Sequence, residues 1–463
     1  MCEGDIATIP AALRAALAAP PGGQIALVIG AGCSIDPPTS RRTAREYATQ
    51  AYRQLEERGT IAAGSCNPEN LGSLADAVFA ARGTQKDLVD ILRPQLLNAP
   101  AHDGHKLAAA LLAEQIVGLI LTLNFDRAID SAVATIAHKS TVTIVHAVEE
   151  LRNRTRFGVI YLHGNVESED SKWILRTAQI DQTWDDTWQE YIVMDLALTP
   201  NVIFAGLGSP TPVISETVLK AKAALSADKT IIQVDKMELQ HNTFAQTMGV
   251  AAADYVVSCW TGFMQALGGV AAREFNNKIF DRYPRFCTEN RHDEQDPALV
   301  MAALPLDILS SGKLRAAWFL DKSEYKAFNS TNVDHLVDII RTLALALTIV
   351  GATECVLVED GMDFRKDGKP VLRVFSCSGA GALYWANVEG AIQARHQEFR
   401  RNDKTTAVVY LATAVDIGLT SVPESIVAEV DGDGVTASPR DFAYFSPRTL
   451  NENPQALLDM MRN

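Results

Sequence analysis

Six short apolar runs recur along the first part of the chain, and each closes on small or polar residues. The run 24–29 (QIALVI) stops at Gly30-Ala31-Gly32, and the run 116–123 (IVGLILTL) stops at Asn124-Phe125-Asp126. The run 158–162 (GVIYL) ends at His163-Gly164, and 201–205 (NVIFA) ends at Gly206-Leu207-Gly208-Ser209. The run 230–234 (TIIQV) ends at Asp235-Lys236, and 254–259 (DYVVSC) leads into a helical stretch from 260 to about 278. Unbroken apolar runs of this length, rich in β-branched residues, read as strands buried on both faces. The segment 40–97, rich in Ala, Arg, Glu and Leu, reads as several helices that form a cap over the sheet. Six buried strands with mostly helical connections predict a doubly wound α/β sheet. Ligands of such sheets lie outside the carboxyl ends of the strands, where this chain concentrates its Gly, Asn, Asp, His and Ser.

Beyond the sixth run, 281–296 (DRYPRFCTENRHDEQD) is polar and charged and reads as a linker. A helix near 331–347 and strands near 355–359, 371–376, 407–412 and 442–446 predict a separate C-terminal α/β (α+β) domain. The domain boundaries expected from this pattern are 1–278 and 297–463. A chain of 463 residues is long enough for two such cores.

A formal net charge of −14 argues against a broad grip on nucleic acid, whose affinity rests on Lys and Arg neutralising phosphates. The mean hydropathy of +0.02 is that of a globular protein. The longest apolar stretch, 342–353, is shorter than the roughly 20 residues that a spanning helix needs, so no membrane span is expected. The opening residues MCEGDIATIP place acids where a secretory leader carries positive charge, and a cytoplasmic location is expected. The seven cysteines are scattered and never spaced as CxxC, which argues against a sequence-local zinc site and a disulfide framework; no metal is expected.

Gly30-Ala31-Gly32-Cys33-Ser34 follows a strand directly, where glycines let the backbone approach a pyrophosphate. Read alone, it is equally a tight strand-to-helix turn. Asn124 and Asp126 stand two apart at a strand end, so both side chains can point into one pocket, or form an Asx turn that starts a helix. His163 is ambiguous in isolation. Trp173, Trp184 and Trp188 lie between His163 and Gly206 and read as core or lid packing.

The order of these pieces on successive strands resembles the sirtuin family. GAG-x-S is followed by T-x-N-x-D (Thr122, Asn124, Asp126), His163-Gly164, G-x-G-S (Gly206, Gly208, Ser209) and a strand-terminal acid, Asp235. The resemblance spans residues 20–275 and implies a sirtuin-like Rossmann domain with NAD as substrate. It further implies that Gly30, Ala31, Gly32 and Ser34 cradle the diphosphate, and that Thr122 belongs to the cofactor-binding set. Asn124 would position a water against the nicotinamide ribose, Asp126 would hold the carboxamide, and His163 would be the general base. Gly206, Gly208 and Ser209 would line the phosphate and adenosine side, and Asp235 would bind the adenosine ribose.

Protein deacylases of the family carry a zinc ribbon of two CxxC pairs, which this chain lacks. GAG-x-S is followed here by Ile35-Asp36-Pro37-Pro38-Thr39-Ser40-Arg41-Arg42, in place of a G-I-P-D-F-R-like loop. Both departures count against an acyl-lysine groove. The pattern looks more like the NAD-consuming sirtuin-like effectors of bacterial antiphage systems. The activity this implies is NAD hydrolysis to nicotinamide and ADP-ribose. Control would come through the C-terminal domain by a partner protein or an activating nucleotide or phage signal, within a homo- or hetero-oligomer. The alternatives are a protein deacylase or ADP-ribosyltransferase, and a non-catalytic NAD or ADP-ribose sensor.

Overall fold

A computed structural model describes residues 5–19, 22–136, 142–176, 178–179, 199–207, 229–304, 307–309, 333–358, 361–376, 397, 408–411, 443–445, 450 and 452–462. The chain divides into two compact units, Met1–Ala271 and Ala272–Asn463.

In the first unit β1 (Ile25–Ile29), β2 (Val117–Thr122), β3 (Thr143–Val145), β4 (Gly158–Tyr161), β5 (Asn201–Ala205), β6 (Thr230–Asp235) and β7 (Tyr255–Val257) form one parallel sheet. Its order is β3-β4-β2-β1-β5-β6-β7, so the chain winds outward to both sides from β1, and the switch falls between β1 and β5. The doubly wound α/β sheet expected from the six runs is present. A seventh strand, β3, corrects their number. It is three residues long, with Thr143 and Ile144 only half-buried, so it carries no apolar run of its own.

Register aligns the strand tips. Ile29 is level with Thr122 and with Ala205, Thr122 is level with Tyr161, and Ala205 is level with Val234. The residues that leave these strands therefore emerge along one edge of the sheet. Ala26, Val28, Leu121, Ile160, Val202 and Phe204 share a core with Phe244 and Met248. The alternate residues Ile25, Leu27 and Ile29 are equally buried, as a sheet covered on both faces requires.

The helices of this unit begin with α1 (Ala11–Ala18), which packs on β5. The cap comprises α2 (Ala44–Glu57), α3 (Leu71–Arg82) and α4 (Lys86–Leu96). Thr43 starts α2 with a capping box to Glu46, and Gly83 ends α3 at φ +69°. Tyr47, Leu55, Leu74, Val78, Leu88 and Leu92 form the cap's core together with Trp173 and Leu175. Next come α5 (Asp103–Ala113), packed on β2 and on α6 (Ala128–Ile136), and α7 (Thr243–Met248).

The expected linker is instead helical over most of its length, because α8 runs from Trp260 to Asn290. Ile279, Tyr283, Phe286 and Cys287 recur at helical spacing among the charges, and all four are buried. Arg285 pairs with Glu289 one turn on, and Arg282 pairs with Glu289 and Asp334.

The second unit contains α9 (Pro297–Ala303), α10 (Val333–Val350) and α11 (Pro454–Arg462), together with β8 (Glu354–Val358), β9 (Gly361–Lys366), β10 (Lys369–Ser376), β11 (Val408–Leu411) and β12 (Ala443–Phe445). The five strands lie in sequence order, antiparallel from β8 to β10 and parallel from β10 to β12. Leu336, Ile340, Leu343 and Leu347 of α10 pack with Met362, Phe364, Leu372 and Val374 of the hairpin. The hairpin strand β9 is missing from the sequence-based expectation. The segments 378–382 and 395–404, read from sequence as a turn and a solvated helix face, lie outside the described residues apart from position 397.

Candidate functional site

At the switch between β1 and β5 the two outgoing loops touch. The Gly32 N–H donates to the Gly206 carbonyl (2.7 Å), and the Gly30 N–H donates to the Ala205 carbonyl (3.0 Å). Gly206 sits at φ +66°, and a Cβ there would stand 2.5 Å from the Cys33 nitrogen. A Cβ on Gly32 would stand 2.7 Å from the Gly206 Cα. These glycines are thus needed first for the two loops to approach each other.

Ala31–Ser34 form a 3-10 turn over the strand tips, pinned from behind by His102. The His102 Nδ1 accepts from the Gly104 N–H (3.0 Å), so the proton sits on Nε2, which donates to the Cys33 carbonyl (2.6 Å). Burial pushes the His102 pKa down and the Cys33 thiol far up.

Two cavities open on either side of this turn, and Ala31 and Ala44 line both. The first, with a volume of about 70 Å³, is lined by Ser34, Arg41, Asn124, Asp126, His163 and an apolar wall that includes Leu92, Leu96 and Leu175. The second, with a volume of about 360 Å³, is lined by Gly30, Gly32, Gly206, Asp235, Lys236, Arg45 and Trp260, among others.

In the first cavity the Asn124 Nδ2 donates to the Ser34 hydroxyl (3.2 Å), which in turn donates to the Asp126 carboxylate. Asp126 Oδ1 also accepts from the Ala128 N–H (3.0 Å), so this residue caps α6 while facing the cavity. Both sequence readings of Asp126, helix start and pocket wall, therefore hold together. Burial raises its pKa against the pull of the Ala128 N–H and the Ser34 hydroxyl. Phe125 stacks on the buried Trp173 (4.6 Å, 10°) and fixes the backbone between Asn124 and Asp126. Trp173 is core, as expected, while Trp184 and Trp188 lie outside the described residues.

His163 is 2% exposed, and burial pulls its pKa down to about 4, so the imidazole is neutral at physiological pH. The Asn124 Oδ1 is buried and has no hydrogen-bond partner. A buried acceptor left open this way costs free energy unless something fills it.

In the second cavity, Asp235 Oδ1 accepts from the Met237 N–H (2.9 Å), which aims the carboxylate at the strand edge. Of the residues singled out from sequence, Gly30, Ala31, Gly32, Ser34, Asn124, Asp126, His163, Gly206 and Asp235 all line one cavity or the other. Thr122 lines neither. Its hydroxyl is buried and accepts from the Asn124 N–H (3.2 Å), so it steadies the loop from beneath. Gly208 and Ser209 lie outside the described residues.

Sequence reasoning missed Arg41 and His102. Arg41 lines the first cavity with its guanidinium on the carbonyls of Gln95 (2.7 Å) and Leu97 (2.9 Å). No spacing connects either residue to the strand tips, because both arrive from helical connections. Among the described residues no group of three His, Cys, Asp or Glu is placed to hold a metal ion, and no helix is long and apolar enough to cross a membrane.

Residues 118–252 match a family described as SIR2-like domain. The curated proteins include none that matches this chain. Among solved structures, a Sir2 homologue–NAD complex is 14% identical with a TM-score of 0.34, covering 59% of this chain and 97% of its own. A mutant Sir2 homologue with ADP-ribose is 14% identical with a TM-score of 0.34, covering 58% and 98%. Another, with 2′-O-acetyl-ADP-ribose, is 16% identical with a TM-score of 0.34, covering 56% and 95%.

Proposed function

We propose that this chain hydrolyses NAD at the nicotinamide–ribose bond, releasing nicotinamide and ADP-ribose, as a regulated effector of bacterial antiphage defence that acts by depleting NAD. The observation that carries this reading is the pair of cavities meeting at Ala31 and Ala44 across the strand switch. One end holds a carboxylate, an amide and a neutral imidazole; the other holds glycine-rich backbone and a strand-terminal acid. A dinucleotide has the same two-headed form, with a diphosphate between its halves. The match of 118–252 to a SIR2-like domain supports the same substrate.

The unpartnered Asn124 Oδ1 fits this ligand, since it can accept from a ribose hydroxyl or from the attacking water. Asp126 would accept from the carboxamide NH₂. Asp235 would take a hydroxyl of the adenosine ribose on the oxygen that Met237 leaves open. Nicotinamide leaves as a neutral ring from a cationic one, so the protein needs mainly to position the sugar and a water. His163, held neutral by burial, takes the proton from that water as the new C–O bond forms.

Catalysis is assigned to residues 1–278 and control to 297–463. An uncontrolled NAD hydrolase would be toxic, and the C-terminal domain would receive a partner protein or an activating nucleotide or phage signal in a cytoplasmic oligomer. The absence of any CxxC pair in the sequence favours water over acyl-lysine as the acceptor. Incubation with NAD, alone and with the products of neighbouring genes, should release nicotinamide and ADP-ribose without any peptide. Release that depends on an added acyl-lysine peptide would instead establish a deacylase. Binding of NAD without turnover under every condition would establish a sensor.

A further inference from the structure

The cavity on the Asp235 side has a charge arrangement unsuited, as it stands, to a diphosphate. Its only cations among the described residues are Arg45 and Lys236, and each is already paired with a carboxylate. Lys236 Nζ reaches Asp36, on the loop that follows the 3-10 turn, at 3.2 Å. Arg45 Nη2 reaches Glu69, on the segment before α3, at 2.6 Å. With Glu69 and Asp235 also in the wall, the lining carries two positive and two negative groups. Gly30 and Gly32 bring backbone close to where the phosphates would lie, but backbone alone does not neutralise them.

Both ion pairs are of the kind that exchanges easily. The side chains are 70% and 50% exposed in the Arg45–Glu69 pair, and 56% and 26% in the Lys236–Asp36 pair. Pairs this exposed gain little in water and hold their partners weakly. The two phosphates offer the cations acceptors of the same charge as the carboxylates, set side by side in a site that the ligand itself shields from water.

We propose that Lys236 and Arg45 are diphosphate-binding residues held in store by Asp36 and Glu69, and that ligand entry exchanges each carboxylate for a phosphate oxygen. This rests on the dinucleotide reading of the cleft. Asp36 and Glu69 act as competitors for the cations, which keep the empty cleft from being a general anion trap. No bond is made or broken, and the exchange conserves charge.

The exchange makes paired predictions of opposite sign for calorimetric binding of ADP-ribose and NAD to the full chain. Lys236→Gln and Arg45→Gln should each weaken ADP-ribose binding about tenfold, the scale of a hydrogen bond to a charged group. Asp36→Asn and Glu69→Gln should each tighten it severalfold, and the two cation variants should show shallower salt dependence. Thermal melts of all four should stay close to wild type, because exposed pairs add little stability. If wild type binds ADP-ribose and the carboxylate variants bind no more tightly than wild type, the exchange is wrong and the dinucleotide reading stands. If wild type binds neither ADP-ribose nor NAD, the reading itself fails and the exchange with it.

Discussion

Burial sets the protonation of His163 and leaves the Asn124 Oδ1 without a partner. An imidazole with a pKa of about 4 stays deprotonated through the physiological range. The acid limb of kcat/KM for NAD, which reports the free enzyme, should therefore fall near pH 4. A limb near 6.5 would show that His163 is solvated or is not the base. Stability carries the same signature. Between about 6.5 and 4 the unfolded chain binds a proton at this residue that the folded chain refuses, so its contribution is complete above 6.5 and drains as pH falls towards 4. The loss is on the order of 3 kcal/mol, and urea titrations at pH 5 and pH 7 should show a smaller difference for His163→Gln than for wild type. At the other end of the cleft, Asp235→Ala removes a charge-assisted bond to the ligand and should raise the KM for NAD about tenfold with kcat little changed. An unchanged KM would remove Asp235 from the site. In the sequence the roles of these residues are implied only by the family resemblance that their order along the strands carries, whereas the pKa and the open Oδ1 come from what packs around them.

At the scale of elements, the strand tips were legible and some of the connections were not. Parallel strands buried on both faces write themselves as apolar runs, and all six lead to residues that line the cleft. The three-residue β3 leaves no such trace. The charged stretch 281–290 conceals three buried positions at helical spacing, Tyr283, Phe286 and Cys287, and the charges that suggest a linker pair along the helix and with Asp334. Native-state trypsin should accordingly spare Arg282 and Arg285, and rapid cleavage at either would contradict the helix. The hairpin β9–β10 did leave a signal, because Asp367-Gly368 both lie at positive φ, as a two-residue turn between alternating strands requires. The glycines of the strand switch had been credited to the ligand, yet their Cβ positions fall on the opposing loop. Gly206→Ala should cost about 1 to 3 kcal/mol, since it combines strain at φ +66° with a clash on Cys33. It should also weaken ADP-ribose binding; a variant with wild-type stability and affinity would show that the loops have slack.

At the scale of the whole molecule, the sequence announces the first unit and says little of the second. Both units have a buried core, and the first ends its strands in residues that line the two cavities. Apolar pattern specifies packing, and polar residues at strand tips specify a site, so a domain of the former alone reads as fold without function. The central claim is that Asn124 and His163 act together on a dinucleotide laid across the switch. The most direct test is the rate of nicotinamide release at saturating NAD, under whatever condition activates the wild type, for Asn124→Ala and His163→Ala beside it. The account expects each variant to keep its fold and ADP-ribose binding while losing about 10² to 10⁴ in rate. Release at the wild-type rate from both folded variants would contradict it.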